Sequence, residues 1–225
     1  MIQTAFITAP RGVNYLTATL CDYYQNWSVE PWIFAEPDSS VNRPSDRIFI
    51  NKERLGCVAN WWIALNMLVD CSNAEWYLIM EDDIMWQPDG ANELRRKLWQ
   101  LGEFDGIISP YCSERNVYSL MRDQWIQPKM SKLRGWCGAL AIAIHKKFAK
   151  RMVNEGQAYF YSAAMDDDTR EMIHLDAAIG ATAIRLGGDI KTHNPTLVLH
   201  VGDVSTNLKM NEVDQTQLTA RRPAL

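Results

Sequence analysis

Apolar positions along this chain fall into short, nearly unbroken runs separated by polar turns. Trp76 to Met80 (WYLIM) is one such run, and its lack of helical punctuation suits a strand buried on both faces of a sheet. Thr4 to Ala9 (TAFITA), Pro31 to Ala35 (PWIFA), Arg47 to Asn51 (RIFIN), Gly106 to Ser109 (GIIS) and the end of Gly135 to Ile144 (GWCGALAIAI) read as further strands. Helical patterns lie between them. One begins near Asn14, after the break at Pro10, Arg11 and Gly12. Cys57 to Val69 is apolar nearly all round and predicts a helix buried within the fold, in which Asn60 and Asn66 need partners. Asn66 is expected as a helix cap or an interhelical hydrogen bonder. Pro88, Asp89 and Gly90 open a helix with Leu94, Leu98 and Leu101 on one stripe, stopped by Gly102. Phe148 and Met152 share a helix face, with Lys146, Lys147, Lys150 and Arg151 toward solvent and Gly156 at the end. Leu175, Ile179 and Leu186 keep helical spacing in the last helix. Val117 to Met121 and Trp125 to Gln127 predict short strands or a hairpin outside the parallel core, and Tyr159 to Arg170 reads as a loop holding Asp166, Asp167 and Asp168. The alternation predicts an α/β fold with a mostly parallel sheet flanked by helices.

The strand at Trp76 empties directly into Glu81, Asp82 and Asp83. Three carboxylates in a row repel one another and resist desolvation, so a positive partner is expected among them, and a divalent cation satisfies that need. The carboxyl edge of an open α/β sheet is also where ligands bind. An isolated acidic triplet is ordinarily a solvated turn. The apolar strand before this one, and Ile84, Met85 and Trp86 after it, argue for a crevice instead.

Other polar residues sit at equivalent strand ends. Arg11, in the loop after the first strand, is placed to meet a diphosphate or a base, or else is a solvated surface charge. Glu36 closes the second strand where a nucleotide-binding sheet keeps a polar group for ribose or base, and the loop from Lys52 to Gly56 is a candidate lining for the same site. Asp176 stands at the amino end of the last helix, where a cap is the ordinary reading. His200 ends the apolar run of TLVLH and is either a satisfied core histidine or a ligand.

Composition narrows the function classes. At 225 residues and 47% hydrophobic content the chain suits one α/β domain with a continuous core. A formal net charge of -4 announces neither nucleic acid nor an anionic membrane, although the basic face around Lys147 leaves room for an anionic acceptor. No membrane-spanning apolar stretch and no leader pattern is present, which predicts a soluble, intracellular, cytoplasmic protein. Five cysteines without paired spacing fit reduced thiols buried as small apolar groups. Of nine tryptophans, Trp86 and Trp136 are placed to stack on a sugar or base.

The Glu-Asp-Asp triplet resembles the acidic metal motif of glycosyltransferases with the GT-A (Rossmann-like) fold. The later segment NPTLVLHVGDVST resembles the closing motif of several such families, in which proline and an apolar strand lead to histidine, glycine and serine. The resemblance spans Thr4 to Thr206. It implies that Asp83 and His200 hold Mn²⁺ or Mg²⁺, a donor set of oxygen with one imidazole that suits these ions. It further implies that Glu81 and Asp82 position a nucleotide-diphosphate sugar, a UDP-sugar foremost, with Pro10, Arg11, Glu36 and Asn60 around the nucleotide. Trp136 and Gly138 would lie at sugar or acceptor, with Trp86 nearby. If configuration inverts, Asp176 would take the acceptor's proton, with Asp168 and Asp167 as rivals. About 1–110 would form the nucleotide-sugar half, 111–206 the acceptor and catalytic half, and 207–225 a tail or lid. The expected activity is metal-dependent transfer of a sugar to a hydroxyl on a glycan, a lipid-linked sugar or a hydroxymethylated DNA base. The competing readings are a nucleotidyltransferase activating a sugar phosphate, whose usual glycine-rich, lysine-containing first loop is missing, and a non-catalytic binding module of the same fold.

Overall fold

A computed structural model describes residues 1–41, 47–112, 123–128, 136, 138–165 and 174–202. In chain order these form β1 (Ile2–Thr8), α1 (Tyr15–Asn26), β2 (Trp32–Ala35), β3 (Ile48–Ile50), α2 (Gly56–Cys71), β4 (Trp76–Glu81), β5 (Ile84–Trp86), α3 (Gly90–Leu101), β6 (Gly106–Ser109), β7 (Gln124–Ile126), β8 (Ala141–His145), α4 (Lys146–Glu155), α5 (Gln157–Ala164), α6 (Leu175–Arg185), β9 (Asp189–Asn194) and β10 (Val198–His200). The strand expected over Val117 to Met121, the aspartates 166–168 and the tail 207–225 lie outside the described residues.

Eight strands form one mixed sheet in the order β3-β2-β1-β4-β8-β6-β9-β7. Parallel pairings join β1 to β2 and β4, β2 to β3, and β6 to β9. β8 runs antiparallel between β4 and β6, and β7 antiparallel on the outer edge of β9. Every parallel strand therefore delivers its carboxyl end to one edge, where the acidic triplet lies.

The pleat of β4 distributes its side chains to two cores. Tyr77 and Ile79 pack with Trp61, Leu65 and Leu68 of α2, while Trp76, Leu78 and Met80 pack with Leu16, Leu94 and Leu98 from α1 and α3. Burial on both faces explains the unbroken apolar run, and each such side chain contributes roughly 1.5–3 kcal/mol. α2 is buried nearly all round because it lies between the sheet and the other helices. Asn60 donates to the Phe34 carbonyl and accepts from Asn51, tying α2 to β2. Asn66 donates back to the Trp62 carbonyl one turn earlier, so it is neither a cap nor an interhelical bridge.

Several expectations are corrected. Gln157 to Ala164 is helix, not loop, because Phe160 inserts between Trp61 and Trp62, with ring centroids 5.5 and 4.6 Å away. β7 is a short strand on the edge of the main sheet, antiparallel to β9. β9 (DIKTHN) lacks an apolar run yet is an interior strand between β6 and β7, its buried Thr192 and His193 bonded to the carbonyls of Tyr111 and Pro195. The apolar run before His200 stays out of the main sheet and pairs antiparallel with β5. Cys21 and Cys71 are exposed thiols, not buried ones. Among the described residues no helix is long and apolar enough to cross a membrane.

The basic helix face also lies elsewhere than expected. Because β8 runs against β4, His145 pairs opposite Trp76 and α4 starts at the amino edge of the parallel strands, away from Asp83. Lys147 and Arg151 are moreover matched by Glu103 and Asp105.

Gly106 is paired with Asp189, and a Cβ placed there would stand 2.0 Å from the Asp189 carbonyl oxygen. Gly106→Ala is expected to force β6 from β9 and lower stability by about 1–3 kcal/mol, read as a fall in the urea midpoint.

Candidate active site

The site is built where β1 and β4 end side by side. Parallel pairing in register Ile7 to Glu81 brings the loop after β1 against the loop after β4. Thr8 donates to Asp82 Oδ2, and the Thr19 hydroxyl of α1 donates to the Asp82 carbonyl at 2.7 Å. Pro10 is half-buried in the same loop and leads into Arg11. Arg11 folds inward over the carboxylates. Its Nη2 lies 2.8 Å from Asp82 Oδ1, an ion contact off the hydrogen-bonding direction, and its Nη1 donates to Asp83 Oδ2. The guanidinium also rests over the Tyr15 ring, 5.6 Å from its centroid. The Arg11 side chain is 9% exposed and those of Asp82 and Asp83 only 3%, so these charges meet largely away from water.

β10 supplies the other wall. Pairing with β5 places His200 opposite Ile84, and the Val201 amide donates to the Asp83 carbonyl at 2.8 Å. His200 Nε2 then lies 3.1 Å from Asp83 Oδ2. Gly202 completes the approach: a Cβ at that position would stand 2.3 Å from the same oxygen. The late histidine and the early aspartate, 117 positions apart, are thus in contact.

The pleat carries Glu81 to the opposite side of the sheet from Asp82, toward α2 and α6. Burial pushes its carboxyl up to about 8, helped by the negative charges of Asp83 and Asp176. Burial likewise raises Asp82 to about 6 against the pull of Arg11. Asp83 moves the other way: burial alone would raise it, but His200 and Arg11 outweigh burial and hold it below the usual range. Burial lowers the His200 imidazole less than contact with Asp83 raises it, so the ring favours its charged form.

Asp176, in the first turn of α6, accepts from the amides of Gly138 at 2.7 Å and Ala139 at 2.5 Å through one carboxylate oxygen. It therefore clasps the turn entering β8 and is not a cap of its own helix. Burial raises its carboxyl despite those two bonds. Its charge is felt at Glu81, which sets it on the same side of the site.

The remaining sequence candidates are placed differently. Glu36 is 1% exposed and accepts from the Leu55 amide at 2.8 Å, satisfying the start of α2 where no side chain of that helix does; burial raises its carboxyl against the opposing pull of the Leu55 and Gly56 amides. Asn60 is 2% exposed, its amide engaged within the fold. Trp136 is fully buried, and its ring occupies the space a Gly138 side chain would need. Trp86 is 7% exposed and packs on Trp27 at 5.5 Å. Neither indole offers an open face for stacking, a correction that follows from their place in the core. Asp167 and Asp168 lie outside the described residues. Sequence reasoning missed Thr8 and Thr19, which no pattern marks until the loops are juxtaposed, and it met Gly202 only as the glycine of the closing segment, without a role.

No protein-family model matches the chain, and a search of curated proteins finds no match. Solved structures do resemble it. A mannose-1-phosphate geranyltransferase from Thermus thermophilus superposes with TM-score 0.54 at 14% identity, over 86% of this chain and 75% of that one. A candidate nucleotide-diphospho-sugar transferase from Desulfovibrio desulfuricans gives TM-score 0.50 at 10% identity, over 85% and 78%. The fold is GT-A-like. At these identities the likeness concerns the arrangement of strands and helices, and the chemistry of Glu81 to Asp83, Arg11 and His200 rests on their own geometry.

The raised Glu81 carboxyl has a consequence for stability. Between its ordinary value of 4.5 and about 8 the unfolded chain has lost this proton while the folded chain keeps it, so rising pH favours unfolding across that window. Glu81→Gln removes this term. The stability difference in favour of Glu81→Gln is expected to grow from pH 4.5 to pH 8 and then level, measured by urea denaturation in the presence of chelator.

Proposed function

We propose that this protein is a glycosyltransferase that moves a sugar from a nucleotide-diphosphate donor to an acceptor hydroxyl, with a divalent cation at Asp83 and His200. One observation carries the reading: a buried carboxylate, held ionised, faces an imidazole at the ligand edge of a GT-A-like sheet and keeps one oxygen, Oδ1, without a hydrogen-bond partner among the described residues. Leaving a buried carboxylate oxygen unsatisfied costs about 1–3 kcal/mol, and a cation relieves it.

The donor set fits Mn²⁺ or Mg²⁺. Among the described residues no group of three or more metal-capable side chains is present, and Mg²⁺ is commonly bound through one or two carboxylates with substrate phosphates and water completing its shell. Bound between Asp83 and His200, the ion would offset negative charge on the departing diphosphate as a Lewis acid.

The chain's own residues divide the remaining work. Arg11 neutralises Asp82 and Asp83 in the free protein and, turned outward, presents two N–H groups to the diphosphate. Asp82, anchored by Thr8 and Thr19, and Glu81 on the other face bracket the donor. In an inverting reaction Asp176 takes the acceptor proton: its Oδ1 is fixed by two amides, which orients Oδ2, and burial raises its basicity. The basic face of α4 lies at the other edge of the sheet, so it lends no support to DNA as acceptor, and a sugar hydroxyl is the favoured one.

A thermal-shift panel of nucleotide sugars with and without Mn²⁺ tests the reading. Stabilisation by at least one donor, dependent on the cation, is expected. Asp83→Asn should abolish the cation dependence and reduce turnover by roughly 100-fold or more. Arg11→Gln should strengthen Mn²⁺ binding in the absence of nucleotide, by removing the competing charge, while weakening the donor. No stabilisation by any nucleotide would sink the proposal.

A further inference from the structure

Two positive groups meet at one oxygen of Asp83. Arg11 Nη1 donates to Oδ2, and His200 Nε2 lies 3.1 Å from that same atom. The other oxygen, Oδ1, is buried without a hydrogen-bond partner among the described residues. Arg11 lies across the carboxylates: its side chain is 9% exposed and that of Asp83 is 3%. A divalent cation approaching Asp83 therefore meets a guanidinium seated on the carboxylate it needs, and like charges repel strongly where little water separates them.

The seat of Arg11 is incomplete. A guanidinium has several N–H donors, yet here Nη1 has an aligned acceptor, Nη2 touches Asp82 off the hydrogen-bonding direction, and Nε is buried with no partner among the described residues. Arg151 differs, its donors reaching both oxygens of Asp105 and the Leu186 carbonyl. Charge holds Arg11 in place more than hydrogen bonding does. Phosphate oxygens take guanidinium donors in parallel pairs, so a diphosphate offers what the aspartates leave unmet.

The chain around Arg11 permits the exchange. Thr8, before it, is bonded to Asp82; Asn14, after it, accepts from the Thr17 amide at 3.4 Å and donates to the Ser40 carbonyl at 3.2 Å. Between these anchors Gly12 and Val13 are exposed, and a Cβ at Gly12 would meet nothing within 4 Å. The segment 9–13 has room to swing while β1 and α1 stay in place.

We infer that Arg11 is a latch: it shuts Asp83 against divalent cations until a diphosphate draws the guanidinium away, so that cation and nucleotide enter and leave together. The inference rests on the transferase reading for the identity of the anion, and adds to it an order of binding. A closed pose favoured by about 100 to 1 weakens the apparent affinity for the cation about 100-fold. Linkage makes the effect mutual, the cation strengthening nucleotide binding by the same factor by which the nucleotide strengthens cation binding. When the diphosphate departs after transfer, Arg11 returns to Asp83 and releases the cation.

The test follows unbound Mn²⁺ by electron paramagnetic resonance in solutions of the full chain, with and without each of UDP, GDP, ADP and CDP, after correction for Mn²⁺ held by the nucleotide alone. Without nucleotide, Arg11→Ala is expected to bind Mn²⁺ roughly tenfold or more tightly than the unaltered protein. Methylguanidinium, which fits the place the side chain leaves, should reverse that gain in Arg11→Ala and leave the unaltered protein unchanged. A general loosening of the fold would not be reversed in this way. At least one nucleotide should tighten Mn²⁺ binding by the unaltered protein, and by a smaller factor in Arg11→Ala. The latch is overturned if the two proteins bind Mn²⁺ equally without nucleotide, or if methylguanidinium leaves Arg11→Ala unaffected. It is overturned equally, whether or not the variant folds, if a nucleotide that the unaltered protein binds fails to tighten its hold on Mn²⁺. Equal Mn²⁺ binding by the two proteins, with a nucleotide still tightening it, ends the latch alone. A gain in Arg11→Ala that methylguanidinium reverses, with no nucleotide bound by either protein, upholds Arg11 as the barrier to the cation and ends the transferase reading.

Discussion

The burial of negative charge at the end of β4 is the constraint around which the molecule is arranged. Asp82 and Asp83 are almost wholly removed from water, and unpaired carboxylates in such a place would neutralise themselves by taking up protons. Asp83 does not, because Arg11 and His200 reach it from two directions. Asp82 and Glu81 go part of the way toward neutrality. The site is therefore held under electrostatic tension, one carboxylate ionised and its neighbours inclined to protonate.

The fold maintains that tension through backbone pairing. β1 beside β4 brings in Arg11 and Thr8, and the two-stranded β5–β10 pair brings in His200. Neither pairing involves a long, adjustable side chain, so the approach of His200 to Asp83 is set by main-chain register. Gly202 permits it by leaving the space beside Asp83 empty of a side chain. The pleat of β4 then assigns the carboxylates to different faces: Asp82 to α1, Glu81 to the side of α2 and Asp176.

Much of this was legible in the residues. The strand at Trp76 announced itself because burial on both faces demands an unbroken apolar run, and the acids following it had to lie at the sheet edge. What could not be read depended on neighbours. β9 has no apolar signature, since its interior position is satisfied by hydrogen bonds from Thr192 and His193. α5 is helical through Phe160 packing on two tryptophans. Trp86 and Trp136 stood at suggestive positions, but volume and packing placed them in the core. The basic face of α4 was visible as a pattern, whereas its distance from Asp83 followed from the reversed direction of β8, which periodicity does not encode.

Diffraction from crystals grown with Mn²⁺ and a nucleotide diphosphate, collected at a wavelength where manganese scatters anomalously, tests the central claim most directly. An anomalous peak bonded to Asp83 Oδ1 and His200 Nε2, with Arg11 turned away from Asp83 toward the phosphates, is the expected result. A nucleotide bound at this edge with no manganese between Asp83 and His200, and Arg11 still seated on both aspartates, would contradict it.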